Sequence, residues 1–226
     1  ANNYTSVLGT AVKDDVVEVK GYISAVSSQG PILTDNGGSV LLYKTSGYEI
    51  GDVVTVNGKI SSYNCGFQIG TDGISIEKTG TTEVVYPAAL DITGAYADEL
   101  LTTRVNDEYA YYAKMTGTVA ISGNYYNFNI DGATAAVGSV YGATDEVKSW
   151  LADGMQCTLY GYFCSISKQS GAPKFVNIIV TSVEAKTRAA QTLAMKVNSE
   201  KRYAYFKYNG TGYEAADVVA VQPADY

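Results

Sequence analysis

Apolar and polar residues alternate with the two-residue period of half-buried strands through much of this chain. Val17, Val19, Gly21, Ile23 and Ala25 fall on one face of a predicted strand. Ninety-six residues further on the pattern returns: Met115, Gly117, Val119 and Ile121 alternate in the same way, and Gly117 stands where Gly21 stood. Each of these strands leads through a turn to a second strand that ends at an acidic turn residue, Asp35 in 31–37 and Asp131 in 127–132. Asn36-Gly37 and Asp131-Gly132 are strong hairpin-turn signals. Third strands are predicted at 40–43 and 136–141. The fourth strands, 51–60 and 154–163, match best. Gly51, Thr55 and Gly58 recur as Gly154, Thr158 and Gly161, now at an offset of 103.

The change of offset places an insertion between strands three and four of the second copy. There Thr144 is a suitable N-cap, Asp145 and Glu146 fill a first turn, and Val147, Trp150 and Leu151 form an i, i+3, i+4 stripe. A short helix is expected, ended by Gly154. The first copy has only Thr45-Ser46-Gly47-Tyr48 at this point, which predicts a turn. Fifth strands are expected near 73–78 and 175–183. Five short strands with a helix between the third and fourth is the order of an OB barrel, and a glycine within strand one suits the bend so small a barrel needs.

The predicted fold class is therefore all-β: two tandem five-stranded OB-type β-barrels, the second with a short helix between strands 3 and 4, plus a C-terminal β-hairpin. The boundaries are a first barrel over 1–85, a linker over 86–108 and a second barrel over 109–185. A C-terminal linker and hairpin cover 186–226. Short helical turns are expected at 87–90 and 95–101, and a short helix or linker at 189–197. The hairpin is expected to run out along 202–208, turn at 209–212 and return along 218–221.

Composition narrows the function. Twenty Tyr and 23 Gly against four Pro agree with strands joined by tight turns. The net charge of −7 and the lack of any Lys/Arg run argue against nucleic acid as the ligand, because phosphate neutralisation supplies most of that affinity. The chain contains no His, so neither a Ser–His–Asp nor a Cys–His nucleophile can be assembled, and imidazole metal sites are excluded. Cys65, Cys157 and Cys164 show no CxxC spacing, and free thiols are expected. No apolar run approaches the length of a transmembrane helix. No cofactor, metal site or catalytic residue is expected.

The tandem barrels, the glycine of strand one and the tail RYAYFKYNGTGYEAADVVAVQPADY resemble secreted and surface lipoproteins of gut Bacteroidetes, in which OB-like modules occur in series. The resemblance implies export to the cell surface or outside the cell, with a targeting segment ahead of Ala1. It brings no catalytic motif.

OB barrels take ligands across strands two and three and between the loops after strands one and four. In the second copy those loops are predicted at 122–126 and 165–174, which nominates Asn124, Tyr125, Tyr126 and Lys168. In the first copy they are 27–30 and 61–67, which nominates Tyr63, Asn64 and Phe67. Tyr43 and Tyr141 lie at equivalent ends of the third strands. Tyr beside Asn suits a sugar face or a base, the ring stacking while the amide hydrogen-bonds. The competing reading is that these rings cover barrel ends or neighbouring domains. The acidic pairs Asp14-Asp15, Asp98-Glu99 and Asp107-Glu108 read as solvated charge. A non-catalytic glycan-binding module is the expected function. The alternatives are a module that docks a neighbouring protein domain and, behind it, a single-stranded nucleic-acid binder, which would need a basic groove around Lys59, Lys168 and Lys174.

Overall fold

The computed structural model describes residues 4–186 and the backbone of 206–208 and 213–215. It is 51% strand and 8% helix and forms two closed five-stranded barrels, each with one extra strand. The all-β tandem-barrel expectation therefore holds.

Barrel 1 comprises β1 (Val16–Ala25), β2 (Ile32–Thr34), β3 (Ser39–Leu42), β4 (Asp52–Tyr63) and β5 (Gly66–Ile69). They pair in the order β1-β2-β3-β5-β4, and β4 closes back on β1. The closing strand β5 runs parallel to β3, through Leu41 and Gln68. This corrects the sequence reading, which placed strand five near 73–78 and treated 61–67 as a loop. Asn64 and Cys65, at φ 51° and 61°, make a two-residue turn that needs no glycine, and strand runs on either side of it. The segment near 73–78 falls instead on β6 (Ser75–Thr81), the extra strand, which pairs with the first half of β4.

Barrel 2 comprises β8 (Tyr111–Ser122), β9 (Tyr125–Ile130), β10 (Val137–Val140), β11 (Gln156–Gln169) and β12 (Ala172–Ala185). The short β7 (Leu90–Asp91) lies parallel on β8. Here a single long β12 pairs with β11 from Gln169↔Ala172 to Cys157↔Ala185. It covers the ground that β5 and β6 share in barrel 1. The two equivalent edges differ because Ile69 and Ile76 are seven residues apart, whereas their counterparts Ile178 and Val183 are five apart. The surplus in barrel 1 is absorbed at Gly70–Ile74, where Gly73 has φ 69°. The supposed loop 165–174 reduces to a turn at Ser170-Gly171, both with positive φ.

The inserted helix is present as α2 (Asp145–Ser149), with the Thr144 hydroxyl accepting from the Val147 amide. It ends at Trp150, not at Gly154, which terminates the following turn at φ 76°. Between the barrels, 87–89 form no helical turn and lead into β7, while α1 (Ala95–Thr103) forms as expected. The Asp98 carboxylate on α1 accepts from the amides of Thr134, Ala135 and Ala136 and from the Thr134 hydroxyl, at 2.7–2.9 Å. These bonds pin the loop between β9 and β10 and hold the Asp98 carboxyl well below the usual carboxylate range. Asp98→Ala is expected to cost about 1–2 kcal/mol, because several amides lose one shared acceptor. The ionised carboxylate gives its full contribution above the ordinary carboxylate pKa, and acid removes it. Urea denaturation of both proteins at neutral pH and in acid checks this: the gap between them should close in acid.

Three apolar clusters make the core. One fills barrel 1 around Leu33, Leu42 and Ile60, and one fills barrel 2 around Met115, Phe128 and Phe163. The third lies between the barrels and contains Ala25, Ile32, Leu41, Tyr112, Tyr162, Cys164 and Ile179. β1 alternates only as far as Ile23, because a register shift between Ile23 and Ala25 turns Ala25 into this cluster, while the Ser24 hydroxyl bonds to that of Thr34. Residues 1–186 accordingly form one compact unit.

A second unit spans 187–226. In it β13 (Phe206–Tyr208) pairs antiparallel with β14 (Tyr213–Ala215), so a hairpin forms, returning earlier than the expected 218–221. The rest of that expected hairpin, and the helix or linker at 189–197, lie outside the described residues.

Candidate functional site

A cleft of about 710 Å³ opens on barrel 2. Its wall is built from β9, β10, β11 and β12, with α2 at one side and the Ser28-Gln29 turn of barrel 1 at one end. Strand parity decides what it displays. On β9, Phe128 and Ile130 turn into the barrel, so Tyr125 and Asn127 turn outward into the cleft. On β10 and just after it, Ser139 and Tyr141 share the outward parity, and on β12 Phe175 and Asn177 do. The cleft thus presents the aromatic rings of Tyr125, Tyr141 and Phe175 among the amides and hydroxyls of Asn127, Asn177, Ser139 and Ser167.

Five of the nine residues nominated from sequence line this cleft: Asn124, Tyr125, Tyr126, Tyr141 and Lys168. Tyr125 is 74% exposed, so its ring is available to a ligand. Tyr126 has the opposite parity and also packs against the barrel 2 core. Burial pushes the Tyr141 phenol up to about 12, helped by the neighbouring Cys164, Tyr43 and Tyr63, so it stays neutral and able to donate a hydrogen bond. Asn177 is 2% exposed and donates to the hydroxyls of Ser165 (2.9 Å) and Ser167 (3.2 Å), which fixes its amide at the cleft floor.

The other four nominated residues do not line it. Tyr43 packs against the inter-barrel cluster, with the Lys44 ammonium 5.3 Å from its ring centroid. Tyr63 is exposed at the end of β4. The Asn64 carbonyl accepts from Ile166 of β11 at 2.9 Å, and the Phe67 ring packs tilted against Tyr109, centroids 4.8 Å apart, while its amide donates to the Glu108 carbonyl. In barrel 1 the turn after strand four is therefore spent on barrel 2. The nominated residues of barrel 1 thus lie away from this cleft, with Asn64 and Phe67 engaged in hydrogen bonds to Ile166 and Glu108 and Tyr63 exposed.

Residues missed from sequence include Asn127, Ser139, Lys148, Gln169, Phe175 and Asn177. Parity with Tyr125 and Tyr141 was enough to find Asn127 and Ser139. Gln169 falls in the segment read as the loop 165–174, while Phe175 and Asn177 fall in the expected fifth strand, on the parity opposite to Val176 and Ile178. Ser28 and Gln29 enter only because the Ser28 amide donates to the Gly142 carbonyl across the interface, at 2.8 Å.

The remaining candidates take structural roles. Asp14 pairs with Lys59 at 2.7 Å, and the Asp15 carboxylate accepts from the Val12 amide. Asp35, expected as a turn residue, is buried and accepts from the amides of Val7, Leu8, Gly37 and Gly38. All three cysteines are free. Cys157 and Cys164 are both buried, which pushes each thiol up to about 11 and leaves no thiolate at neutral pH. Cys164 lies on the face of β11 opposite to Phe163 and is buried because barrel 1 covers that outer face. Among the described residues no three His, Cys, Asp or Glu side chains gather where they could hold a metal ion. None of the described helices is long and apolar enough to cross a membrane.

The class that emerges is a tandem OB-type barrel protein with one open, aromatic- and amide-lined cleft on its second barrel. No protein-family model matches the sequence, and no curated protein is significantly similar to it.

Proposed function

We propose that this protein is a non-catalytic binding module of an exported surface protein and that the cleft on barrel 2 takes a glycan. The observation that carries this reading is the outward row of Tyr125, Asn127 and Tyr141 on adjacent strands. Rings supply apolar faces for the C–H side of a sugar, and fixed amides and hydroxyls beside them satisfy its hydroxyl groups. The resemblance to Bacteroidetes surface lipoproteins supports the exported location. Single-stranded nucleic acid is a weaker reading: of Lys59, Lys168 and Lys174 only Lys168 lines the cleft, while Lys59 pairs with Asp14 and Lys174 donates to the Ala135 carbonyl. A docking role for a neighbouring domain is favoured by one observation, the hydrogen bonding of the barrel 1 turn to Ile166 and Glu108. That contact is internal to the pair of barrels, so it argues for barrel 1 as the support of barrel 2.

The test is a melting-temperature screen of the protein against a glycan panel, since ligand at 100 times its Kd adds about 2.7 kcal/mol of stability. A selective shift with one glycan class is expected. Tyr125→Ala should weaken that binding roughly three- to tenfold, the worth of one aromatic contact, with an unchanged melting point for the free protein. Tyr63→Ala should bind as wild type. No shift with any glycan, or one indifferent to Tyr125→Ala, would remove the proposal.

A further inference from the structure

The cleft carries a charge pattern opposite to that of the protein around it. The chain has 23 acidic against 16 basic residues, yet no carboxylate lines the cleft while two lysines do, Lys148 from α2 and Lys168 from the end of β11. Four lysines elsewhere are paired with carboxylates, whereas Lys13, Lys20, Lys44 and Lys174 enter no ion pair among the described residues. Lys59, Lys78, Lys114 and Lys186 lie 2.6–3.7 Å from Asp14, Asp52, Asp91 and Asp131. Lys168 is exposed and enters no ion pair among the described residues. Lys148 has only Asp145, at 3.5 Å and fully solvated, a pair of the kind that contributes little. Two weakly neutralised ammonium groups thus stand over a cleft whose remaining polar lining is uncharged.

Resting on the reading of the cleft as a glycan site, we propose that its ligand is an acidic glycan, with sugar-ring carboxylates set against Lys148 and Lys168. Neutral amides, hydroxyls and rings account for a sugar but not for the exclusion of carboxylates from the lining. An anionic ligand accounts for both, because carboxylates in the wall would repel it and lysines at the edge attract it. Two cations in a protein of net charge −7 suit a ligand with one or two charges in the cleft. They do not suit a polyphosphate, which needs a neutralising cation for most of the phosphates it places. Lysine also fits the chemistry: a hydrated point charge on a flexible stem serves solvent-exposed carboxylates without demanding one fixed geometry.

The experiment titrates the full chain with carboxylated oligosaccharides, each beside its methyl-esterified or carboxyl-reduced neutral form. The set comprises oligogalacturonate, oligoguluronate, a hyaluronan fragment and sialyllactose, and oligothymidylate is included as a polyphosphate probe. At least one acidic form should bind about tenfold or more tighter than its neutral form, with an advantage that shrinks as salt rises. In the Lys148→Gln/Lys168→Gln double variant that advantage should fall to within about twofold, with the melting point of the free protein as in wild type. Neutral forms that bind as tightly as acidic ones, in a manner lost in Tyr125→Ala, would overturn this inference and leave the glycan reading standing. An acidic advantage that persists in the double variant would also overturn it. Absence of binding by every oligosaccharide would overturn both readings, and so would oligothymidylate binding tighter than all of them.

Discussion

A Gly117→Ala variant should lose about 3 kcal/mol or more of stability and melt roughly 6–12 °C below wild type. The cause is a close approach between strands. A β-carbon at Gly117 would stand 2.1 Å from the Asn129 carbonyl oxygen and 3.0 Å from the Ile130 Cα, both backbone atoms of β9. No side chain can rotate away to make room. Gly117 lies in the middle of β8, paired with Ile130 on one side and Cys157 on the other, so one of its two ladders must open. Opening the β9 side also displaces Tyr125 and Asn127, so the proposed glycan binding should weaken together with stability. Gly80→Ala is the control, since nothing stands within 4 Å of its added methyl and its φ is not positive; it should change stability by less than about 0.5 kcal/mol. Urea unfolding of both variants decides the matter. Equal losses would mean that chain entropy, and not the strand approach, explains the glycine.

That glycine is legible in the sequence alone. Gly21 and Gly117 stand at equivalent places in a repeat, and in the fold both admit the same close strand approach, for a β-carbon at Gly21 would meet the Thr34 carbonyl oxygen at 2.3 Å. The strand order, the helix inserted after β10 and its Thr144 cap were equally readable, because each leaves a mark in local periodicity or capping chemistry. Strand five of barrel 1 was not. Its residues Gly66–Ile69 are too few to show a period, and the turn before it uses Asn64 and Cys65 in place of glycine.

The site was half legible for a related reason. The repeat nominates both barrels equally, since it records the fold each copy adopts, whereas the interface between copies is made by contacts distant in sequence. Cys65 and Phe67 meet Glu108, and Asn64 meets Ile166. Nothing in the alternation of either strand marks which copy keeps its face open. The lysines of the cleft were obscured for the opposite reason: in a chain of net charge −7, two cations count for little until the fold shows which residues stand beside them.

Arg104 is the residue on which that asymmetry turns, and Arg104→Ala should cost about 3 kcal/mol. It follows α1, is 3% exposed and forms no salt bridge among the described residues. Its charge is met by carbonyl oxygens drawn from both barrels and from the segment that joins them. Nε donates to Cys65 at 3.2 Å, and Nη2 donates to Glu108 at 3.2 Å and to Cys164 at 3.4 Å. The guanidinium also lies 4.3 Å from the Phe163 ring centroid, a desolvated cation–π contact. A bond from a charged donor contributes about 1.5–3 kcal/mol, and bonds sharing one group do not add in full. Alanine removes all of these contacts and leaves a cavity beneath the β4–β5 turn. Lysine should recover little, because one ammonium cannot reproduce a planar fork aimed at three carbonyls. The damage should be to docking first, since all three hydrogen bonds run to carbonyls where the barrels and their connecting segment meet, with a smaller effect on the barrel 2 core through Phe163. Calorimetry should then show the wild-type transition broaden or divide in the variant as the barrels lose their coupling. Ligand affinity should fall as well, because Ser28 and Gln29 close one end of the cleft only while barrel 1 is held in place. A variant that melts as one unchanged transition would show that the tyrosine cluster of Tyr86, Tyr112 and Tyr162 holds the barrels together without Arg104.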